Sequence, residues 1–141
     1  MKARSIFAAL TIMFIISSRS LHGTTCIAGK TFKVSQTCGT VTDKDGAVIP
    51  DAKIQVTPKD HPEGAKEIVS DQEGKFALQN ASDGQYEIRV KYPGFSDAWQ
   101  PFRVTGLHGS AKCGKPIHVV MVLAGGCSYV ENAWKKSELK K

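Results

Sequence analysis

Two short acidic stretches carry the side chains of this 141-residue chain that are best suited to bind a metal ion. DKDG at 43–46 has two carboxylates one residue apart and then a glycine, and DQEG at 71–74 is a close copy. A calcium loop opens in this way, but it needs oxygen ligands at later alternate positions and a glutamate at the twelfth. Counting from Asp43, those places hold alanine and isoleucine. We therefore predict Asp–Gly turns, in which the carboxylate accepts hydrogen bonds from backbone N–H groups, and no metal or cofactor.

The histidines form no catalytic or metal-binding pattern. They are far apart and make no H-x-H or H-E-x-x-H pair, and no G-x-S-x-G elbow supplies a serine nucleophile. The last of them lies in an apolar run at 117–124, where it alternates with the predicted core face and is expected at the surface. The chain is therefore predicted not to be an enzyme. The four histidines are His22, His61, His108 and His118.

Residues 1–20 have the composition of a secretory signal peptide. Lys2 and Arg4 form a positive start, and the apolar run that follows is too short to span a bilayer comfortably. Ser18 and Ser20 then supply the small residues that a signal peptidase reads. The mature chain is predicted to be secreted or periplasmic, with no transmembrane span.

Four cysteines remain after this segment. An even number in a small exported domain indicates two disulfides. No C-x-x-C spacing points to a zinc ribbon or a thioredoxin-like motif. The sequence by itself allows three pairings among Cys26, Cys38, Cys113 and Cys127.

The net charge of +6 belongs to the two ends of the chain. The signal peptide and the lysine-rich stretch at 135–141 account for all of it, which leaves residues 21–134 neutral. A nucleic-acid groove needs clustered lysine and arginine on the folded body. No such cluster is visible along the sequence, so nucleic acid is not predicted as a partner.

From residue 39 onward, short segments with period-two alternation are separated by turn residues, which is typical of an all-β domain. Residues 85–91 (QYEIRVK) alternate most clearly, with apolar side chains on one face and polar or charged ones on the other. Pro101 marks its own segment as an edge strand, because proline cannot donate to a ladder. Seven strands are predicted, at 39–43, 52–57, 66–71, 75–79, 85–91, 98–105 and 117–124, and they favour a two-sheet sandwich.

A short helix is predicted in the tail at 125–141. Ser128 is followed three residues later by Glu131, which is a capping-box pattern, and the lysines near the end agree with the helix dipole. The favoured role of these lysines is to keep the chain in solution. Contact with an anionic envelope surface is the alternative.

These elements together resemble the carboxypeptidase regulatory-like domain of the prealbumin-like (transthyretin-like) sandwiches. GTVTDKDGAVIPDAKIQV at 39–56 is similar to the opening strand, turn and second strand of that family, and SDQEGKFAL at 70–78 to its central hairpin. DGQYEIRVKYPGF at 83–95 is similar to its G-x-Y strand and glycine–aromatic turn, and IHVVMVL at 117–123 to its closing strand. The resemblance implies an all-β, seven-stranded, two-sheet Greek-key sandwich.

Members of this family usually accompany another activity rather than perform one. The resemblance therefore implies a non-catalytic module with a structural or protein-interaction role at the cell envelope. Neither a peptidase domain nor a barrel is recognisable, which favours a stand-alone secreted form. The expected organisation is a signal peptide at 1–20, an N-terminal segment at 21–36, the sandwich at 37–124 and the basic tail at 125–141.

Three aromatic side chains, Tyr92, Phe95 and Trp99, lie in the stretch YPGFSDAW. Aromatic rings stack on sugars, so a carbohydrate-binding module is the alternative function, with a glycan instead of an envelope or extracellular protein as the partner. Core packing is the favoured role of these rings, because Phe95 and Trp99 are large apolar bodies at the entry of a strand.

The resemblance also bears on the disulfides. The first and last strands of such a sandwich often lie side by side, and if they are parallel their starts lie together. Cys38 precedes the first strand and Cys113 the last, while Cys26 is far enough upstream to reach Cys127. The pairing Cys38–Cys113 with Cys26–Cys127 is therefore favoured. Its rival is the local pairing Cys26–Cys38 with Cys113–Cys127.

Overall fold

The computed structural model describes residue 26, residues 28–106, residue 113 and residues 116–132. Within these ranges the chain forms nine strands in two sheets, which confirms the predicted all-β sandwich. No helix in them is long and apolar enough to cross a membrane. The strands are β1 (Phe32–Val34), β2 (Thr37–Asp43), β3 (Lys53–Pro58), β4 (Lys66–Val69), β5 (Lys75–Leu78), β6 (Gly84–Lys91), β7 (Ala98–Val104), β8 (Ile117–Met121) and β9 (Tyr129–Asn132).

The two sheets bury one apolar face each. The larger sheet has the order β1-β7-β6-β3-β4 and the smaller one the order β5-β2-β8-β9. Along β6, Tyr86, Ile88 and Val90 are buried, and the residues between them face outward. The buried side chains form a single core in which the ring of Phe102 stacks on those of Phe32 and Tyr86, at centroid distances of 6.2 and 5.7 Å.

All seven predicted strands are present, and two short ones add to them. β1 pairs in parallel with the end of β7, and β9 pairs antiparallel with β8. β1 finds its partner far away in the sequence, whereas β9 pairs with the strand directly before it, across the short connection at 122–128. The sandwich therefore begins at Phe32 and continues to Asn132.

The start of the predicted C-terminal helix is wrong, because those residues form β9. The Ser128 hydroxyl does not cap a helix: it accepts a hydrogen bond from the Val122 N–H at 2.8 Å and donates one to the Ser96 carbonyl at 2.6 Å. Val130 is buried in the core, as period two along a strand requires. Tertiary packing thus overrides the local helical pattern, and the rest of the predicted helix, 133–141, lies outside the described residues.

β7 is not the edge strand that was predicted from its proline, because β1 covers its last three residues. Pro101 lies just before the covered part, so its missing N–H breaks no bond to β1. Next to Pro101, the buried side-chain amide of Gln100 binds the backbone of the segment that precedes β1. Its Oε1 accepts from the Gly29 N–H at 2.8 Å, and its Nε2 donates to the carbonyls of Gly29 and Lys30 at 3.0 Å.

The parallel pair β2 and β8 forms the centre of the smaller sheet, beginning with Gly39 opposite Ile117. The first and last strands predicted from the sequence are therefore side by side. The disulfides are Cys38–Cys113 and Cys26–Cys127, the pairing that the sequence analysis favoured. The second disulfide joins the segment before β1 to the residue two positions before β9.

The stretches DKDG and DQEG form the predicted turns. Asp43 Oδ1 accepts hydrogen bonds from the N–H groups of Asp45 at 2.9 Å and Ala47 at 2.8 Å. Asp71 repeats this with the second and fourth residues after it, at 3.0 and 2.8 Å. The two turn glycines have φ angles of 90° and 70°, which favour glycine. Within the described ranges, no group of three or more His, Cys, Asp or Glu side chains could hold a metal ion.

Replacing Asp43 with alanine is expected to lower the free energy of unfolding by about 1–2 kcal/mol, because two backbone N–H groups lose their acceptor. Asp43→Asn keeps an acceptor oxygen and should retain most of the stability. Urea unfolding followed by circular dichroism measures both. Asp45→Ala is the control, because among the described residues its carboxylate accepts only from the exposed Lys44 side chain. Stabilisation by added calcium that disappears in Asp43→Ala would contradict the turn interpretation.

Candidate functional site

The outer face of the larger sheet combines cationic side chains with an exposed aromatic ring. Strand alternation points these side chains away from the core. The ring belongs to Trp99, which is 39% exposed. We call this surface the basic face. Its cations are Lys33, Lys53, Arg89, Lys91 and Arg103, and its acids are Glu67 and Glu87.

Strand register sets the layout of the basic face. Trp99 on β7 lies directly opposite Arg89 on β6, which in turn lies opposite Gln55 on β3. Such opposed side chains have Cβ atoms about 4.5–5.5 Å apart. Arg103 lies four residues further along β7, opposite Lys33 on β1. The central row therefore offers an indole, a guanidinium and an amide side by side.

Two cations of the basic face have acidic neighbours. Arg89 Nη2 lies 3.6 Å from Glu87 Oε1, and Lys91 Nζ lies 3.5 Å from Asp97 Oδ2. These four side chains are 40–57% exposed, so the pairs add little stability and leave the cations accessible to a ligand. The sequence showed no cluster of cations on the neutral body. The fold creates one, because it places strands from distant parts of the chain next to one another.

The three aromatic residues predicted as ligand contacts do not form one patch. Tyr92 and Phe95 meet edge to face, with ring centroids 5.8 Å apart, and pack against the core. Trp99 points to the outside, because its sequence neighbours Ala98 and Gln100 point into the core. Core packing thus describes Tyr92 and Phe95 correctly and is wrong for Trp99.

The outer face of the smaller sheet holds a second arrangement, an acid, an imidazole and a hydroxyl in line. His118 Nε2 lies 3.0 Å from Thr42 Oγ1, and His118 Nδ1 lies 3.1 Å from Glu131 Oε1. The His118 side chain lies on the outer face, as its alternation along the strand predicts, but its contacts with Thr42 and Glu131 leave it only 23% exposed. Sequence reasoning missed this line, because the three residues become neighbours only through the register of β2, β8 and β9.

The order of these groups is that of acyl-transfer enzymes, yet the surroundings do not suit catalysis. Thr42 is 9% exposed and lies inside a sheet. A nucleophile also needs free N–H donors for an oxyanion, and the strands around Thr42 use theirs in the ladder. The line therefore fastens three neighbouring strands through side-chain hydrogen bonds.

A small cavity of about 150 Å³ opens at a corner of the sandwich, beside β3 and β4. One polar group at this corner is already bonded within the chain, since the Tyr86 hydroxyl donates to the Ser82 carbonyl at 2.9 Å. Lys66 lies opposite buried Val56, so its side chain leaves the backbone on the inner face of the edge strand β4. An inward-pointing charge at an edge keeps other chains from pairing with it. These features give the corner a structural role.

Comparison with known proteins bears on the sandwich as a whole. The model of the family described as the carboxypeptidase regulatory-like domain matches residues 38–110. The matched stretch is just over half of the 141 residues and runs from β2 through β7, which includes most of the basic face. No curated protein matches the chain.

Proposed function

This chain belongs to the carboxypeptidase regulatory-like domain family, and on that premise we propose that it is an exported, non-catalytic interaction module at the cell envelope. Domains of this family are β-sandwich modules that are generally non-catalytic. Membership does not specify a partner. The surface of this particular chain supports the rest of the proposal.

The observation that carries the proposal is that the exposed chemistry lies on the open outer face of a sheet. Trp99, Arg89 and Arg103 stand on neighbouring strands and are open to solvent. An enzyme encloses its substrate in a concave site that excludes water, which an open sheet face does not do. Aromatic and arginine side chains are instead the residues that contribute most at binding surfaces.

Export is supported by the two disulfides. Such bonds form and persist in oxidising compartments, and the composition of residues 1–20 agrees with passage into one. Cys26–Cys127 and Cys38–Cys113 restrict both ends of the described chain. A module fastened in this way keeps its binding surface in place outside the cell.

Carbohydrate binding is the second candidate, and the exposure of Trp99 favours it. An indole that lies outward on an open sheet face can stack on the face of a sugar ring. Tyr92 and Phe95 contribute less, because they contact each other and the core. The alternative therefore depends on Trp99 and not on all three rings.

Co-sedimentation of the purified mature chain with isolated cell envelopes tests the proposal. We expect the oxidised chain to sediment with the envelopes in a saturable way, and an excess of unlabelled chain should displace it. A chain that stays in the supernatant at all envelope concentrations would contradict an envelope partner. Turnover of an ester, peptide or glycan substrate that is lost in His118→Ala would contradict the non-catalytic role.

A further inference from the structure

We propose that the basic face binds an acidic polysaccharide, with Trp99 stacked on a sugar ring and arginine side chains bound to the carboxylates of the sugars. This inference rests on the proposed interaction role and gives it a ligand class. It concerns one surface, the outer face of the larger sheet. The arguments come from the charge, the ring and the dimensions of that face.

The charge of the face follows from where the fold places acids and bases. Acids of the described body are common in turns, as in the stretches at 43–46 and 71–74. Cations, in contrast, occupy outward positions on four of the five strands of the larger sheet. Lys53 and Arg103 have no ion-pair partner among the described residues. A polyanion would complement this surface, whereas a neutral ligand would leave the cations unused.

The central row suits an acidic sugar in particular. Arg89 stands directly opposite Trp99, so a sugar ring stacked on the indole places its substituents beside the guanidinium. Arginine binds carboxylates with two parallel hydrogen bonds, which would hold a sugar carboxylate in a fixed orientation beside the ring. Gln55 continues the row on β3 and offers an amide to sugar hydroxyls.

The dimensions of the face favour a polymer over a single sugar. Arg103 is four residues from Trp99 along β7, which corresponds to about 13 Å. In the opposite direction, Lys53 and Lys91 face each other two residues beyond Arg89 on β6, a further distance of about 7 Å. Cations therefore extend over roughly 20 Å of the face in total, and the Trp99 ring lies between them.

Two observations disfavour single-stranded nucleic acid, which also combines charge and stacking. Such sites stack successive bases on several aromatic rings, and among the described residues of this face Trp99 is the only aromatic one that points outward. Glu87 lies opposite Pro101, between the levels of Trp99 and Arg103 along β7, and would repel a continuous line of phosphates. A sugar chain, in contrast, also carries hydroxyl groups, which can donate hydrogen bonds to the Glu87 carboxylate.

The test is affinity electrophoresis of the full mature chain in gels that contain polygalacturonate. Fully methyl-esterified polygalacturonate is the matched ligand without charge, and poly-dT and polyglutamate are the competing polyanions. Trp99→Ala and the double variant Arg89→Gln/Arg103→Gln probe the face. Tyr129→Ala and Lys75→Gln are the matched controls, because they remove an exposed ring and a cation from the smaller sheet.

We expect binding to polygalacturonate that weakens about tenfold in Trp99→Ala, the scale of losing one stacked ring. A similar loss, again about tenfold, is expected in the double arginine variant. The two control variants should bind like the unmodified chain. All variants change exposed side chains, and equal melting temperatures would show that they remain folded.

Three results would overturn the inference: no binding to polygalacturonate, equal binding to its methyl ester, or equal losses in the control variants. Binding to poly-dT or to polyglutamate that matches or exceeds binding to polygalacturonate would also overturn it, in favour of a nucleic acid or an acidic protein. Envelope co-sedimentation that persists in Trp99→Ala would separate the two proposals. In that case the interaction role stands, and its surface lies elsewhere.

Discussion

The double variant Cys26→Ser/Cys127→Ser is expected to lose about 4–5 kcal/mol of its free energy of unfolding relative to the oxidised chain. The two cysteines are separated by 101 residues, so their bond removes much conformational freedom from the unfolded chain. A small domain has about 5–15 kcal/mol in total, which makes this one bond a large share. In the folded state it also fastens the segment that Gln100 holds against β7.

Urea unfolding of the mature chain measures the effect. The matched variant is Cys38→Ser/Cys113→Ser, whose cysteines are 75 residues apart. Its loss should lie within about 1 kcal/mol of the first, because closure entropy grows slowly with loop length. A reducing agent should destabilise the unmodified chain and leave the quadruple variant, in which all four cysteines are replaced by serine, unchanged. A loss below about 1 kcal/mol in both pairs would show that neither bond constrains the unfolded chain as the entropy model requires.

Most of the fold could be predicted because seven strands carry their own local pattern. β6 is the clearest case: its apolar residues alternate with polar ones and turn residues bound it. β1 has three residues, FKV, too few for a period. The β9 sequence YVEN fits the start of a helix equally well. β1 forms because β7, far along the sequence, offers it a ladder, and β9 forms because pairing with its neighbour β8 overrides the helical pattern of its own residues.

The candidate site shows the same division between local and long-range information. The outward position of Trp99 could have been predicted from the sequence. Trp99 and Arg103 are an even number of residues apart along β7 and point to the same face, whereas Phe102 and Val104 point to the opposite one. Two features hid this alternation. The large apolar ring suggested burial, and Gln100 is a polar residue on the core face, where hydrogen bonds satisfy its amide. The basic face was out of reach, because it depends on the strand order of the sheet.

The structure explains why residue 39 is a glycine. Gly39 lies on β2 opposite Ile117 of the parallel strand β8, and Phe76 of β5 lies opposite it on the other side. A Cβ atom at this position would overlap the carbonyl oxygen of Ile117 and lie within 2.8 Å of the Phe76 ring. Backbone on one side and a buried ring on the other leave no direction in which to relax.

Gly39→Ala is therefore expected to destabilise the chain by about 3 kcal/mol, the upper end of the usual cost of overpacking a core. The matched control is Gly64→Ala, because its added methyl group would meet only the Pro58 side chain at an ordinary 3.4 Å. That exposed change should stay within about 0.5 kcal/mol of the unmodified chain. Urea unfolding of both variants decides the matter. Equal stability of the two would mean that β2 and β8 can move apart without cost, and the close parallel pairing at the centre of the smaller sheet would then be wrong.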